Sequence, residues 1–334
     1  MKNSGSDPLQ EEAKRRTIPW KLFLRIAVSG AVLGYFAVRI DLTDLAEVFV
    51  GLDTGVYAVS VAVAICGSIV ISLKYFLLAR GTDVETPFAR VVAINFVARF
   101  YGLLVPSGAG QAAVRWYKMT RGAGGKLYFA AASVLERLLF LATALLLVVA
   151  PLYLLDQSAP IRELRAAISP LLGAAGVGLA LGFAYFFLPA VRRAMVSVSG
   201  NVPLLRGERF QNALKRLSVH GLPRSRVVML IGLSVLWQLI YIARVYALFA
   251  ALGTQMPFLQ VAWISSLVFL LQVLPISIAG LGVREGAYVY ILSLYGFPEN
   301  LGFALGLLFF THMLVFAAIG GILNVTEGLS RQEG

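Results

Sequence analysis

Charged residues are scarce in this chain: they make up 14% of its 334 residues, whereas hydrophobic residues make up 59%. A soluble domain usually carries about 25% charged residues. So much apolar side chain cannot be enclosed within one soluble core of this size. The shortage of polar sequence also excludes intrinsic disorder. The composition therefore predicts an all-α polytopic membrane protein, because long apolar segments are typical of membrane-spanning helices.

Cysteine and histidine are almost absent. The single cysteine, Cys66, excludes a scaffold of disulfides within the chain. The only histidines, His220 and His312, lie far from it in the sequence, which argues against a zinc site. We therefore expect no metal site and no cofactor.

Acidic residues are outnumbered: 17 Asp and Glu stand against 29 Lys and Arg, which gives a net charge of +12. Such an excess can indicate nucleic-acid binding. Here most basic residues lie in short segments between apolar runs, the positive-inside pattern that orients helices in a bilayer. We therefore expect a multi-pass protein of the cytoplasmic membrane without a nucleic-acid partner.

A helix needs about 20 apolar residues to cross a bilayer. The runs long enough to do so are 20–40, 56–79, 128–155, 168–190, 227–252 and 300–323. Residues 1–19 are polar and of mixed charge, and no cleavage site follows the first run, so we expect a cytoplasmic tail rather than a signal peptide. Residues 20–325 are predicted to form one transmembrane domain, followed by a cytoplasmic tail at 326–334.

Two further apolar stretches, 88–118 and 258–296, are broken near their middles by proline and glycine. The breaks lie at 106–110 and 275–282. Proline removes a helix hydrogen-bond donor, and glycine adds backbone freedom. Each stretch is therefore predicted to form a helix, a break and a second helix.

Charge placement predicts that both broken stretches return to the side from which they enter. Nearly all loop lysines and arginines then share one side, and only Arg39, Arg162 and Arg165 lie opposite. That side is the cytoplasm, so both termini are assigned to it. The short halves, notably 111–118, favour re-entrant hairpins over pairs of full spans.

The same order of segments occurs twice, in units 56–155 and 227–323. In each unit a proline precedes an arginine by nine residues, in Pro106 to Arg115 and in Pro275 to Arg284. The first hairpin enters from the cytoplasm and the second from outside, so the units are related by inversion, as in many secondary transporters. The predicted fold has about six full spans and two broken re-entrant hairpins in an inverted repeat.

Charges inside the apolar segments mark the candidate site. Each costs on the order of 3 kcal/mol near the bilayer centre. Arginines outnumber glutamates there, and a cationic interior invites an anion, phosphate above all. Helix starts after the two breaks also favour an anion. The candidate substrate-binding residues are Asn95, Arg99, Ser107, Gly110, Gln111, Arg115, Glu136, Arg137, Arg244, Gln272, Ser277, Gly280, Gly282, Arg284 and Glu285.

Some of these charges have a structural alternative. Arg115 and Arg244 lie close enough to helix ends to reach the membrane interface. Glu285 follows a break and can serve to start a helix. Because Glu136 and Arg137 are adjacent, their side chains point about 100° apart on a helix, and each needs a separate partner. We expect Arg137 to face the cavity between the units, and Glu136 to pair with a hairpin arginine, Arg99 or Arg115.

The cytoplasmic loop 190–226 is strongly basic. Within it, 204–219 is predicted to be amphipathic and to lie on anionic lipids of the inner leaflet. Alternatively, its charges only orient the flanking helices.

Two signatures resemble those of the lysylphosphatidylglycerol synthase transmembrane-domain family. The first runs from Asn95 to Arg115 and is followed by the segment 133–137, and the second is the segment 274–286. The resemblance covers about residues 20–325 and implies a role similar to the lipid-flippase half of the bifunctional family members. Gln111 and the pair Thr311-His312 depart from the family pattern, which leaves the lipid open. Because no soluble transferase domain precedes Gly334, lysyl transfer is not expected.

Three functions remain open at this point. The first is a flippase or transporter for an anionic or phosphate-bearing lipid. The second is an accessory subunit that binds a lipid or a lipid-linked glycan partner without moving it. The third is an intramembrane enzyme, which we disfavour because the spans hold no convincing catalytic set. The sequence is compatible with an oligomer.

Overall fold

The computed structural model describes residues 42–80, 86–104, 108–121, 126–154, 159–201, 223–273 and 280–330. Within those residues every regular element is a helix and no strand occurs. The helices are α1 Leu42–Val50, α2 Thr54–Ala79, α3 Phe88–Leu104, α4 Gly108–Thr120, α5 Lys126–Leu154, α6 Ala159–Phe187, α7 Pro189–Asn201, α8 Arg224–Ala251, α9 Phe258–Val273, α10 Val283–Ser293 and α11 Glu299–Ser330.

Five described helices are long and apolar enough to cross a membrane: α2, α5, α6, α8 and α11. They coincide with five of the predicted spans, so the all-α polytopic fold is confirmed. The predicted span 20–40 lies outside the described residues, as do the tail 1–19 and the amphipathic segment 204–219. Most boundaries differ from the predicted ones by one to three residues. Two differ by more: α6 begins at Ala159 rather than at 168, and α11 continues to Ser330 rather than ending at 323.

Each broken stretch contains two separate helices, as predicted, and residues 105–107 and 274–279 between them lie outside the described residues. The first broken pair is α3 with α4, of 17 and 13 residues, and the second is α9 with α10, of 16 and 11 residues. The two helices of each pair pack against each other. At 1.5 Å per residue, the longest of the four extends about 25 Å, less than a bilayer core requires. The side on which each pair begins and ends remains a prediction.

Helix packing follows the same scheme in the two halves of the chain. The central contact joins α2 to α8, the first helices of the two predicted units. The last helix of each unit crosses to the other unit: α5 packs on α9, and α11 packs on α3. Each broken pair therefore packs against the last helix of the opposite unit.

Glycines on α11 allow these close contacts. A β-carbon at Gly302 would lie 2.6 Å from the backbone nitrogen of Val289 on α10. At Gly306 it would lie 2.6 Å from Cγ of Glu285. Gly320 lies similarly close to the backbone of Phe96 on α3. Small residues at helix interfaces let membrane helices approach closely, and here they hold one helix against both broken pairs.

Replacing Gly302 with alanine is expected to destabilise the protein, because the new methyl group meets backbone that cannot move aside. Overpacking of this kind costs about 1–3 kcal/mol. Thermal unfolding in detergent measures the effect. Gly232→Ala on α8 is the matched control, because nothing lies within 4 Å of its β-carbon position. Equal stability of the two variants would contradict the packing described.

The return of the first broken pair is tested by cysteine labelling. Cys66 is exposed and is first replaced by serine. Single cysteines at Arg90 and Arg121, exposed residues just inside and just after the pair, are then treated in sealed cells with a membrane-impermeant maleimide. We expect both positions to be protected until the cytoplasmic side is opened. Labelling of the two from opposite sides would show a single crossing.

Candidate functional site

A cavity of about 280 Å³ lies where the two halves of the fold meet. Side chains of α2, α3, α4, α8, α9, α10 and α11 line it, so both broken pairs contribute. Its polar lining residues are Arg99, Gln111, Arg244, Gln272, Arg284 and His312. Much of the remaining wall is aromatic, formed by Trp237, Tyr241, Phe269, Phe309 and Phe316. We call this space the arginine cavity.

Two of its arginines have aromatic neighbours but no acidic partner. The Arg99 guanidinium carbon lies 4.5 Å from the ring centre of Phe316. That of Arg244 lies 4.4 Å from the Phe309 ring and 4.8 Å from the Tyr241 ring. No ion pair joins either arginine to a carboxylate among the described residues, and Nε of Arg244 is buried without a hydrogen-bond partner there. The rings orient the guanidiniums without neutralising them.

The third arginine, Arg284, is neutralised by its neighbour. Its Nε and Nη2 donate to Oε1 of Glu285 at 3.0 and 2.5 Å, and both residues are almost fully buried. Oε2 of Glu285 accepts from the backbone N–H of Gly282 at 2.7 Å. With φ at +83°, Gly282 holds a conformation that favours glycine. Glu285 therefore caps α10, which was the structural alternative for this residue. Its carboxylate occupies the N-terminus of α10, where we had expected an anionic ligand to bind.

Neutral polar groups complete the wall. Gln272 packs under Gly280, whose φ is +81° and whose β-carbon would lie 2.8 Å from the Gln272 side chain. Gln111 packs similarly against Gly102. Both glutamines were predicted site residues, and the structure brings them together with Arg99, Arg244 and Arg284.

His312 is the polar lining residue that our site list lacked. It is 1% exposed, and its Nε2 lies 3.1 Å from Oγ of Ser60 on α2. Its Nδ1 is buried without a partner among the described residues. A single histidine in the middle of an apolar span was the available signal, because such a residue is rare and costly there.

Other predicted residues lie in a second cluster beside the cavity. Glu136 on α5 pairs with Lys74 on α2, and Lys74 is 0% exposed. The expected pairing with Arg99 or Arg115 is therefore wrong. Lys74 lies within the predicted span 56–79, so a lysine among apolar residues was the available signal, but it was not among the candidate charges. The pair is buried between two helices that pack together, so each charge compensates the other.

Three more predicted residues do not line the cavity. Arg115 lies over the ring of Tyr75 at 4.2 Å. Asn95 is buried and donates to Oγ of Ser72 at 2.8 Å. Arg137, expected to face the cavity, is instead exposed on α5 with the ring of Phe140 at 5.5 Å.

The predicted glycines lie next to the breaks, and the two predicted serines lie outside the described residues. Gly110 lies in the first turn of α4, and Gly280 and Gly282 immediately precede α10. Ser107 and Ser277 lie outside the described residues. Over the described ranges, no three His, Cys, Asp or Glu side chains come together as metal ligands would.

Comparison with known proteins gives one match. The family model described as lysylphosphatidylglycerol synthase TM region matches residues 22–321. The matched range covers most of the chain and includes every residue named above as lining the arginine cavity. No curated protein and no solved structure matches the chain.

The Lys74–Glu136 pair is tested by a double-mutant cycle in thermal unfolding. Glu136→Gln leaves Lys74 buried without a counter-charge, which costs about 3–5 kcal/mol for a fully buried pair. Adding Lys74→Met to Glu136→Gln is expected to restore part of that loss. The control cycle combines Glu136→Gln with Arg115→Gln, whose effects should add. Additive effects for Glu136 and Lys74 would contradict the pairing.

Proposed function

Because the chain belongs to the family of the lysylphosphatidylglycerol synthase TM region, we propose that it is a lipid flippase, a transporter that moves an anionic, phosphate-bearing lipid across the cytoplasmic membrane. The observation that carries the proposal is the arginine cavity. It combines the two features that such a transporter needs, a polar space within membrane-spanning helices and fixed positive charge inside it.

Charge is the strongest support. A cation within a bilayer is costly, and the described part of the chain neutralises Lys74 and Arg284 with carboxylates. In that same part of the chain, Arg99 and Arg244 have aromatic rings as neighbours and no carboxylate partner. A bound phosphate would supply the missing counter-charge, and the planar guanidinium suits its oxygens. The two arginines lie on α3 and α8, so one phosphate could engage both halves of the fold.

The packing scheme supports an inverted repeat around this cavity. The matching contacts of α5 with α9 and of α11 with α3 are what a two-fold relation between the units would produce. In transporters of that design, broken helices line a central site, and access alternates as the repeats move relative to each other. We infer that the first broken pair opens toward the cytoplasm and the second toward the opposite side.

Orientation and membrane contacts complete the proposal. By the positive-inside rule, we assign both termini and the basic loop 190–226 to the cytoplasm. Arg193 on α7 is exposed within that loop and is available to anionic lipids of the inner leaflet. The second candidate function is an accessory subunit that binds a lipid without transporting it, since the same cavity would also suit that role. Transport measurements separate the two candidates.

The test is lipid movement in reconstituted liposomes. Purified protein is inserted into phosphatidylcholine vesicles that carry a trace of fluorescent phosphatidylglycerol or phosphatidic acid, and inward or outward movement is followed by reduction of the fluorophore from outside. We expect movement above that of protein-free vesicles, and we expect Arg99→Gln and Arg244→Gln each to slow it by about tenfold or more, since each removes a charged contact.

The matched control is Arg162→Gln, which removes an exposed arginine on α6, away from the cavity. It should leave movement unchanged. Thermal unfolding of all variants shows whether they fold. Binding of the lipid without movement would favour the accessory subunit, and unchanged movement in both cavity variants would contradict the proposal.

A further inference from the structure

The arginine cavity also constrains which lipid fits it. Resting on the function proposed above, we propose that its ligand carries two negative charges on a phosphate-bearing head group and no ammonium group. A lipid phosphomonoester, which bears close to two charges at neutral pH, is the simplest such ligand.

The first argument is the charge balance of the wall. Of the three lining arginines, Arg284 is neutralised by Glu285 through two hydrogen bonds to one carboxylate oxygen. Arg99 and Arg244 have no carboxylate partner among the described residues. Residues 105–107 and 274–279, in the two breaks, contain no acidic residue in the sequence and so bring no counter-charge. Over the described residues and these two breaks, two positive charges therefore remain for the ligand to balance.

The second argument concerns an ammonium group. Such a group binds either to a carboxylate or to the face of an aromatic ring. No carboxylate is among the described lining residues, because Glu285 caps α10 and faces Arg284. Of the aromatic rings in the wall, those of Tyr241, Phe269, Phe309 and Phe316 already have guanidiniums near them, and Trp237 is the one described ring without such a neighbour. An ammonium group on the Trp237 ring would still share the cavity with Arg99 and Arg244. A cationic head group would therefore meet like charge in a low-dielectric space, which excludes it.

The experiment measures which lipid the intact protein retains. The protein is reconstituted into phosphatidylcholine vesicles that contain equal amounts of phosphatidic acid, phosphatidylglycerol, phosphatidylethanolamine and lysylphosphatidylglycerol. It is then extracted in mild detergent, and the bound lipids are counted by mass spectrometry. We expect phosphatidic acid to be enriched over phosphatidylglycerol by at least about tenfold, and both amino lipids to stay at the phosphatidylcholine level. Equal retention of the two anionic lipids, or preferred retention of lysylphosphatidylglycerol, would overturn the inference.

Variants and a soluble competitor sharpen the result. Arg99→Gln and Arg244→Gln each leave one uncompensated charge, so each should abolish the preference for phosphatidic acid, whereas Arg162→Gln should keep it. If neither cavity variant folds, the preference of the unmodified protein decides. Glycerol 3-phosphate is added in a separate arm. Full displacement of the lipid by it would show a site for a soluble phosphomonoester and overturn the lipid assignment.

This test is independent of transport. Selective retention of phosphatidic acid without its movement in liposomes would keep the inference and overturn the flippase proposal. Movement of phosphatidylglycerol and phosphatidic acid at equal rates, with equal retention, would keep the flippase and overturn the inference.

Discussion

Two buried arginine guanidiniums that have no carboxylate partner among the described residues are the constraint around which this structure is arranged. Arg99 and Arg244 lie in helices that pack within the core of the fold, and aromatic rings rather than carboxylates hold them in place. Among the described residues, two other buried cations have carboxylate partners: Lys74 pairs with Glu136, and Arg284 pairs with Glu285. The contrast supports our proposal that Arg99 and Arg244 bind an anionic ligand.

The rest of the architecture brings those two charges to one place. Arg99 belongs to the first broken pair, and Arg244 belongs to the helix that forms the central contact with α2. Glycines on α11 let that single helix lie against the backbone of both broken pairs. Glu285 contributes both to helix packing and to the charge arrangement of the cavity. Its side chain caps α10, pairs with Arg284 and packs against Gly306 on α11. Closely packed glycines and the Arg284–Glu285 ion pair therefore lie around the two arginines, Arg99 and Arg244, that have no carboxylate partner among the described residues.

Much of this could be predicted from the sequence. Hydropathy located the five long helices, and proline with glycine located both breaks, because these signals act locally. The convergence of Arg99, Arg244 and Arg284 followed from their cost in a bilayer. Partner choice could not be predicted, because it depends on how helices rotate against each other. For that reason the partner of Glu136 was sought among the hairpin arginines although it is Lys74, and Arg115 was grouped with the cavity although it lies over Tyr75. His312 stood out as a histidine within an apolar span, but its place in the wall of the arginine cavity depends on how α11 packs.

The most direct test of the central claim is an experimental density map of the protein in a lipid nanodisc that contains anionic lipid. The account predicts a phosphate-sized density in the arginine cavity, within hydrogen-bonding distance of both Arg99 and Arg244, with an acyl chain leading away from it toward the membrane. A carboxylate of the chain itself between those two arginines, or a cavity holding only water beside abundant anionic lipid, would contradict the account.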